Sequence, residues 1–168
     1  MRRLLTTLLI VAAASPAATA KVGPIFGLRA VGSTVFPVDA GTVVHGTVSA
    51  VNTGDAKGTV TFSTADATTG DTTGAVFLTE TAPTGVGTWI TLKPTSLELD
   101  PGKRAVVAYT VHVPRGAKAG QYVGGIVGAP ARSSAARNLS IVPVEVDVSG
   151  PQVARFAIGA VRAVYPPK

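Results

Sequence analysis

Between Lys57 and Ile126 the chain repeats one device: a short run in which apolar and polar residues alternate, then a turn built from Gly, Pro or Asp. Alternation with a period of two places every second side chain on one face of a strand. Turns at such short intervals leave no room for a helix of ordinary length and fit the corners of two packed sheets. The same stretch holds no phosphate loop, no metal-ligand cluster and no elbow for a nucleophile, so its residues point to binding and away from chemistry.

The first twenty residues have a different character. Arg2 and Arg3 form a basic start, Leu4 to Ala14 an apolar run of eleven, and Ala18-Thr19-Ala20 the small-residue pattern that a signal peptidase accepts. Cleavage after Ala20 makes Lys21 the new N-terminus. Eleven residues fall short of the roughly 20 needed to span a bilayer, so the segment reads as a leader and the mature chain as extracytoplasmic, without a membrane span. The chain has no Cys; an exported protein without disulfides must draw its stability from sheet packing.

The 148 residues that remain suffice for one domain with a real core. Val, Thr, Ala and Gly dominate, and β-branched side chains suit a pleated surface. We therefore expect an all-β fold, an immunoglobulin-like (Greek-key) β-sandwich of about seven to nine strands over residues 26–149. Gly27 to Val38 reads as a first extended segment, with Pro37 suited to an edge where no ladder donor is needed. Thr42 to Val51 and Lys57 to Ala65 read as a hairpin or as facing strands joined by a corner. Asp66 to Gly74 reads as a polar loop, and Ala75 to Thr79 and Thr88 to Leu92 as short strands, with Trp89 and Ile90 facing opposite sides. Leu97 and Leu99 share a face before the tight turn Asp100-Pro101-Gly102. Arg104 to Val113 is the longest strand expected, ended by Pro114; Gln121 to Gly128 and Leu139 to Val148 complete the set. Leu97, Leu99, Val107, Tyr109 and Val111 are expected in the core.

Of fifteen Lys and Arg two lie in the leader, so thirteen oppose nine acidic residues, a net of about +4. Arg115, Lys118, Arg132 and Arg137 cluster late in the chain and suit either an anionic partner or a solvated rim. Nucleic acid is not an expected partner, because the basic residues are not interleaved with aromatics and no reader motif occurs. Catalysis is not expected either: there is no Gly-x-Ser-x-Gly, no Cys nucleophile and no paired carboxylates. His45 and His112 form a metal pair only if the fold apposes them, and zinc wants three or four converging ligands. Asp66 and Asp71 lack the spacing of a calcium loop and read more simply as caps for backbone donors. No metal or cofactor is therefore expected. Trp89 and Tyr122, with Arg115 and Lys118, are the candidate ligand-binding residues; a lone strand Trp either stacks on a sugar ring or packs in the core, and packing is the reading its position favours.

Several segments occur together in one order: Asp66-Ala67-Thr68-Thr69-Gly70, Gly74-Ala75-Val76, Val86-Gly87-Thr88-Trp89-Ile90, Leu97-Glu98-Leu99-Asp100-Pro101-Gly102, Val111-His112-Val113-Pro114 and Gly120-Gln121-Tyr122-Val123-Gly124-Gly125-Ile126. This set resembles the N-terminal domain of the WxL-interacting proteins of Gram-positive bacteria, over about residues 26–149. The resemblance implies an immunoglobulin-like sandwich that binds peptidoglycan or an associated wall polymer. Members of that family continue into a second sandwich, a membrane helix and a basic tail. Residues 150–168 read as a linker and the start of such a second domain. A second class of function stays open: a structural or assembly domain, similar to a pilus chaperone, that binds other surface proteins through a sheet edge.

Overall fold

The computed structural model describes residues 23–70, 74–131 and 139–151. The expected leader, with Ala18, Ala20 and Lys21, lies outside them, as do Asp71, Arg132, Arg137 and the segment after Pro151. Ten strands follow one another: β1 (Phe26–Val31), β2 (Val35–Val38), β3 (Val43–Asn52), β4 (Gly58–Gly70), β5 (Gly74–Leu78), β6 (Ile90–Lys93), β7 (Ser96–Leu99), β8 (Arg104–His112), β9 (Gly120–Pro130) and β10 (Ser140–Val148). They form two sheets, one in the order β1-β3-β8-β6 and one in the order β2-β10-β9-β4-β5, with β7 also paired to β4. All pairs are antiparallel except β2 with β10. The chain is an immunoglobulin-like β-sandwich: β1, β3, β8 and β6 take the positions of strands A, B, E and D, and β4, β9 and β10 those of C, F and G.

The alternation read from the sequence sets which side chains meet between the sheets. Val48 and Ala50 of β3, Val107, Tyr109 and Val111 of β8, and Phe26 and Leu28 of β1 face Val60 and Phe62 of β4, Ile126 of β9 and Val142 to Val148 of β10 in steps of two. Fully burying a side chain of this size contributes about 1.5–3 kcal/mol, which is how a chain without disulfides holds together. Leu99 is buried and Leu97 is partly buried against the same core. The amide of Asn52 is sealed in among these side chains. Asn52 has no solvent exposure; its Nδ2 donates to Ala56 O (2.9 Å) and Leu99 O (3.0 Å), and its Oδ1 accepts from Gly54 N (3.0 Å) and Ile25 N (3.3 Å). With all four of its bonding positions used, it ties the chain entry, the β3–β4 corner and the end of β7 together.

The structure corrects four expectations and decides between the two alternatives of another. The described residues form ten strands, because the first extended segment divides at Gly32-Ser33: β1 joins one sheet and β2 the other. Thr42–Val51 and Lys57–Ala65 lie in opposite sheets, so they are facing strands joined by a corner. Asp66 to Gly74 is no loop; β4 runs on to Gly70 and pairs with β5 from Asp66↔Leu78 to Gly70↔Gly74. That hairpin stands clear of the core, so it shows no apolar alternation, while its Thr residues keep their strand preference. At 13 residues β4 exceeds β8, with 9, as the longest strand. Finally, Val86–Trp89 is a 3₁₀ turn and β6 begins only at Ile90. Gly102 carries φ +72°, as the turn after Asp100-Pro101 demands.

Candidate functional site

The four proposed ligand-binding residues are spread over the 3₁₀ turn, β9 and the loop between β8 and β9. Trp89 closes the 3₁₀ turn and Tyr122 opens β9; their rings lie 4.9 Å apart at 50°. Both are half-buried against the core. The Tyr122 hydroxyl donates to Lys118 O at 2.9 Å, fixing the exposed loop before β9. Trp89 and Tyr122 therefore meet, with the Lys118 backbone beside the Tyr122 hydroxyl. Arg115 stands apart, its side chain against Gly41 in the turn between β2 and β3. A tilted aromatic pair of this kind adds about 0.5–1.5 kcal/mol beyond its buried area, so the two rings stabilise one another whatever else they touch.

The turn that carries Trp89 is held by a carboxylate. Asp66 Oδ2 accepts from Thr84 N (2.7 Å) and Gly85 N (2.8 Å), and Oδ1 from Gly87 N (2.7 Å). Burial alone would raise its pKa, but the three N–H donors, led by Gly87, outweigh that and hold the carboxyl below its ordinary 3.8. Asp66 thus caps backbone donors, the simpler of its two roles read from the sequence. These bonds wrap residues 84–89 into a turn, which takes Thr88 and Trp89 out of the strand expected from Thr88 to Leu92.

His45 and His112 are brought to the same outer face, on the neighbouring strands β3 and β8 and two places out of register. His45 Nδ1 lies 3.1 Å from Thr110 Oγ1. Among the described residues no group of three metal-ligand side chains forms, and no helix is long and apolar enough to cross a membrane.

The margins of the six-stranded sheet carry a second, less legible candidate. Ala131 N–H bonds to Thr59 O, and Phe62 N–H to Thr95 O, each at 2.8 Å. Odd residues of β4 therefore turn their backbone groups to β9 and even ones to β5 and β7. Through the β4–β5 register, Gly74, Val76 and Leu78 bond inward, while Ala75 and Phe77 turn N–H and C=O to the outer side. No described strand pairs there. The strand has no charge and no Pro, and Val76 and Leu78 remain 44% and 42% exposed. It is seated by Phe77, whose ring lies where a Cβ on Gly125 would come within 2.8 Å. At the other margin β2 is blocked: Pro37 has no N–H, and the Ser33 hydroxyl donates to Val35 O (2.9 Å) and accepts from Val35 N (3.2 Å).

No protein-family model and no curated protein matches the sequence. Solved structures align with the chain at low identity. A family 123 glycoside hydrolase from Clostridium perfringens aligns with TM-score 0.48 and 16% identity, over 74% of this chain and 27% of that one. The chaperone and tip-adhesin subunit complex of the Csu pili of Acinetobacter baumannii gives 0.46 and 12%, over 74% and 57%. The PapD-like domain 7 of human CEP192 gives 0.40 and 11%, over 89% and 100%. The chain thus spans about a quarter of the hydrolase and just over half of the pilus-complex chain.

Proposed function

We propose that this is a non-catalytic, extracytoplasmic assembly domain that binds a partner protein by accepting an extended segment along β5. The observation that carries this reading is the outward-facing backbone of Ala75 and Phe77, on an uncharged strand flanked by exposed Val76 and Leu78. Main-chain bonding at such an edge supplies affinity and alternate side chains supply selectivity. The leader expected from residues 1–20 supports a position outside the cytoplasm. The test is a photo-crosslinking amino acid at position 75 or, as control, at position 35, in cells that export the protein. A discrete protein adduct from 75 and none from 35 is expected; no adduct from 75, or equal adducts from both, overturns the reading.

A second reading, attachment to peptidoglycan or an associated wall polymer, is favoured by the meeting of Trp89 and Tyr122 beside the loop that carries Lys118 and by the resemblance to WxL-interacting proteins. Cosedimentation with Gram-positive sacculi, with and without their anionic polymers and at low and high salt, tests it. Sedimentation lost on Trp89→Ala supports the reading, and failure to sediment with any preparation removes it.

A further inference from the structure

The departure of β2 from the first sheet leaves β3 half-covered. β3 pairs with β8 from Val43 onward, but with β1 only from Thr47. Asn52 N–H bonds to Lys103 O (3.0 Å) and Thr53 N–H to Ile25 O (2.8 Å), so even residues of β3 face β8 and odd residues face β1. Val43 and His45 therefore turn N–H and C=O towards a side on which no described strand lies. A cleft of 420 Å³ opens beside them, bordered by Val31 and Ser33 at the end of β1, by Phe36 of β2, and by His45, Gly46 and Tyr109. None of its ten lining residues is Lys, Arg, Asp or Glu.

Behind the bare edge sits an unanswered donor. Tyr109 is 1% exposed, and its hydroxyl has no hydrogen-bond partner. The ring lies across Gly46, where a Cβ would fall 2.2 Å from Cζ and 2.3 Å from the hydroxyl oxygen, and Phe36 meets it edge-on at 6.4 Å. The glycine therefore lets the phenol reach the margin of β3. Asn52, the other fully enclosed polar side chain described above, has every bond made. A buried group left unpaired in a native structure calls for an explanation, and burial raises the phenol pKa, which keeps it a donor.

The geometry points to a peptide-accepting slot: an uncharged, extended segment of another polypeptide lies along Val43–Gly46 in continuation of β1, bonds Val43 and His45 through its main chain, and offers a carbonyl to the Tyr109 hydroxyl. Four residues at about 3.3 Å each fill it. A neutral lining selects against a charged segment, since no opposite charge would offset the desolvation. This slot is bounded by β1, β2 and β3, on separate strands from β5, and stands whether or not β5 binds anything.

The test titrates the full chain, ¹⁵N-labelled, with N-acetylated, C-amidated hexapeptides that alternate Val, Thr, Ala and Gly, with the same peptides carrying a central Asp or Lys, and with N,N′-diacetylchitobiose. Neutral peptides should shift the amides of residues 31–36 and 43–47, and the charged set should bind about tenfold more weakly. His45→Pro removes a donor that β8 does not use, so the fold tolerates it and binding is lost. Tyr109→Phe should weaken binding about tenfold without lowering the melting temperature, and Val76→Lys with Leu78→Lys should leave it unchanged. Absence of shifts with every peptide, unaltered binding by either His45→Pro or Tyr109→Phe, or occupation of the slot by the disaccharide alone overturns the proposal.

Discussion

The two margins of the six-stranded sheet are treated in opposite ways. β2 has four residues, one of them a Pro with no donor, and a Ser33 hydroxyl engages both outward-facing groups of Val35. β5 has five residues, no charge, no Pro, and two residues whose backbone groups face outward without a described partner. Natural sheets blunt the edges that must not pair, because an open apolar edge recruits other strands. Among the described residues one margin is blunted by two devices and the other is bare, and this contrast is what supports the proposed pairing at β5. The difference lies in specific residues, so it can be inverted by substitution.

The largest effect is expected from blunting β5. Val76→Lys with Leu78→Lys places two charges on an exposed strand that a partner would have to cover. Partner capture through position 75 should fall at least about tenfold, the equivalent of 1.4 kcal/mol. Stability should move by no more than about 0.5 kcal/mol, since both side chains are largely exposed. Crosslink yield and urea unfolding on the same variant separate the two. Full crosslinking by this variant would break the contrast between the margins.

Next in size is the anchor at the base of the same hairpin. Asp66, opposite Leu78 in register, holds residues 84–87 through three charge-assisted bonds. Asp66→Ala should cost about 1–3 kcal/mol, the range for charged hydrogen bonds and the donors they leave unpaired. The folded pKa lies below the ordinary value of 3.8, so this contribution is complete above about pH 5 and disappears as pH falls through the folded pKa. Urea midpoints of wild type and variant should therefore differ at pH 7 and converge in strong acid. A constant gap across that range would show that the carboxylate charge is not what holds the turn.

What the sequence made legible follows from which faces are buried. β3 and β8 each present one face to the core, and their alternation gave the core residues Val107, Tyr109 and Val111 directly. Pro37 announced an edge because a missing N–H is written in the residue itself, and Asp100-Pro101-Gly102 announced a turn for a similar reason. Asp66 to Gly70, the first arm of the β4–β5 hairpin, was misread as a loop because its polar residues carry no period-two apolar signal, whereas the β5 arm was read as a strand. Trp89 and Tyr122 could be nominated but not joined, since their contact depends on the Asp66-held turn. The open backbone at β5 and at Val43–His45 had no residue-level signal: which edge lacks a neighbour is decided by strand order, which only the fold supplies.

The smallest effect is expected from unblocking β2. Pro37→Val restores an outward N–H, and Ser33→Ala releases the groups of Val35, giving a four-residue edge with two donors and two acceptors facing out. Neither residue packs in the core: both are exposed. The fold should persist, with a modest loss from the freed backbone of Pro37, about 0.4–1 kcal/mol. A new edge this short supports only weak pairing, because isolated two-stranded contacts are marginal in water. The expected outcome is a concentration-dependent rise in weight-average mass, by sedimentation equilibrium, that wild type lacks and that each single substitution shows less strongly. If the double variant and wild type sediment alike up to the solubility limit, Ser33 and Pro37 are not what keeps β2 silent, and the asymmetry between the margins rests on β5 alone.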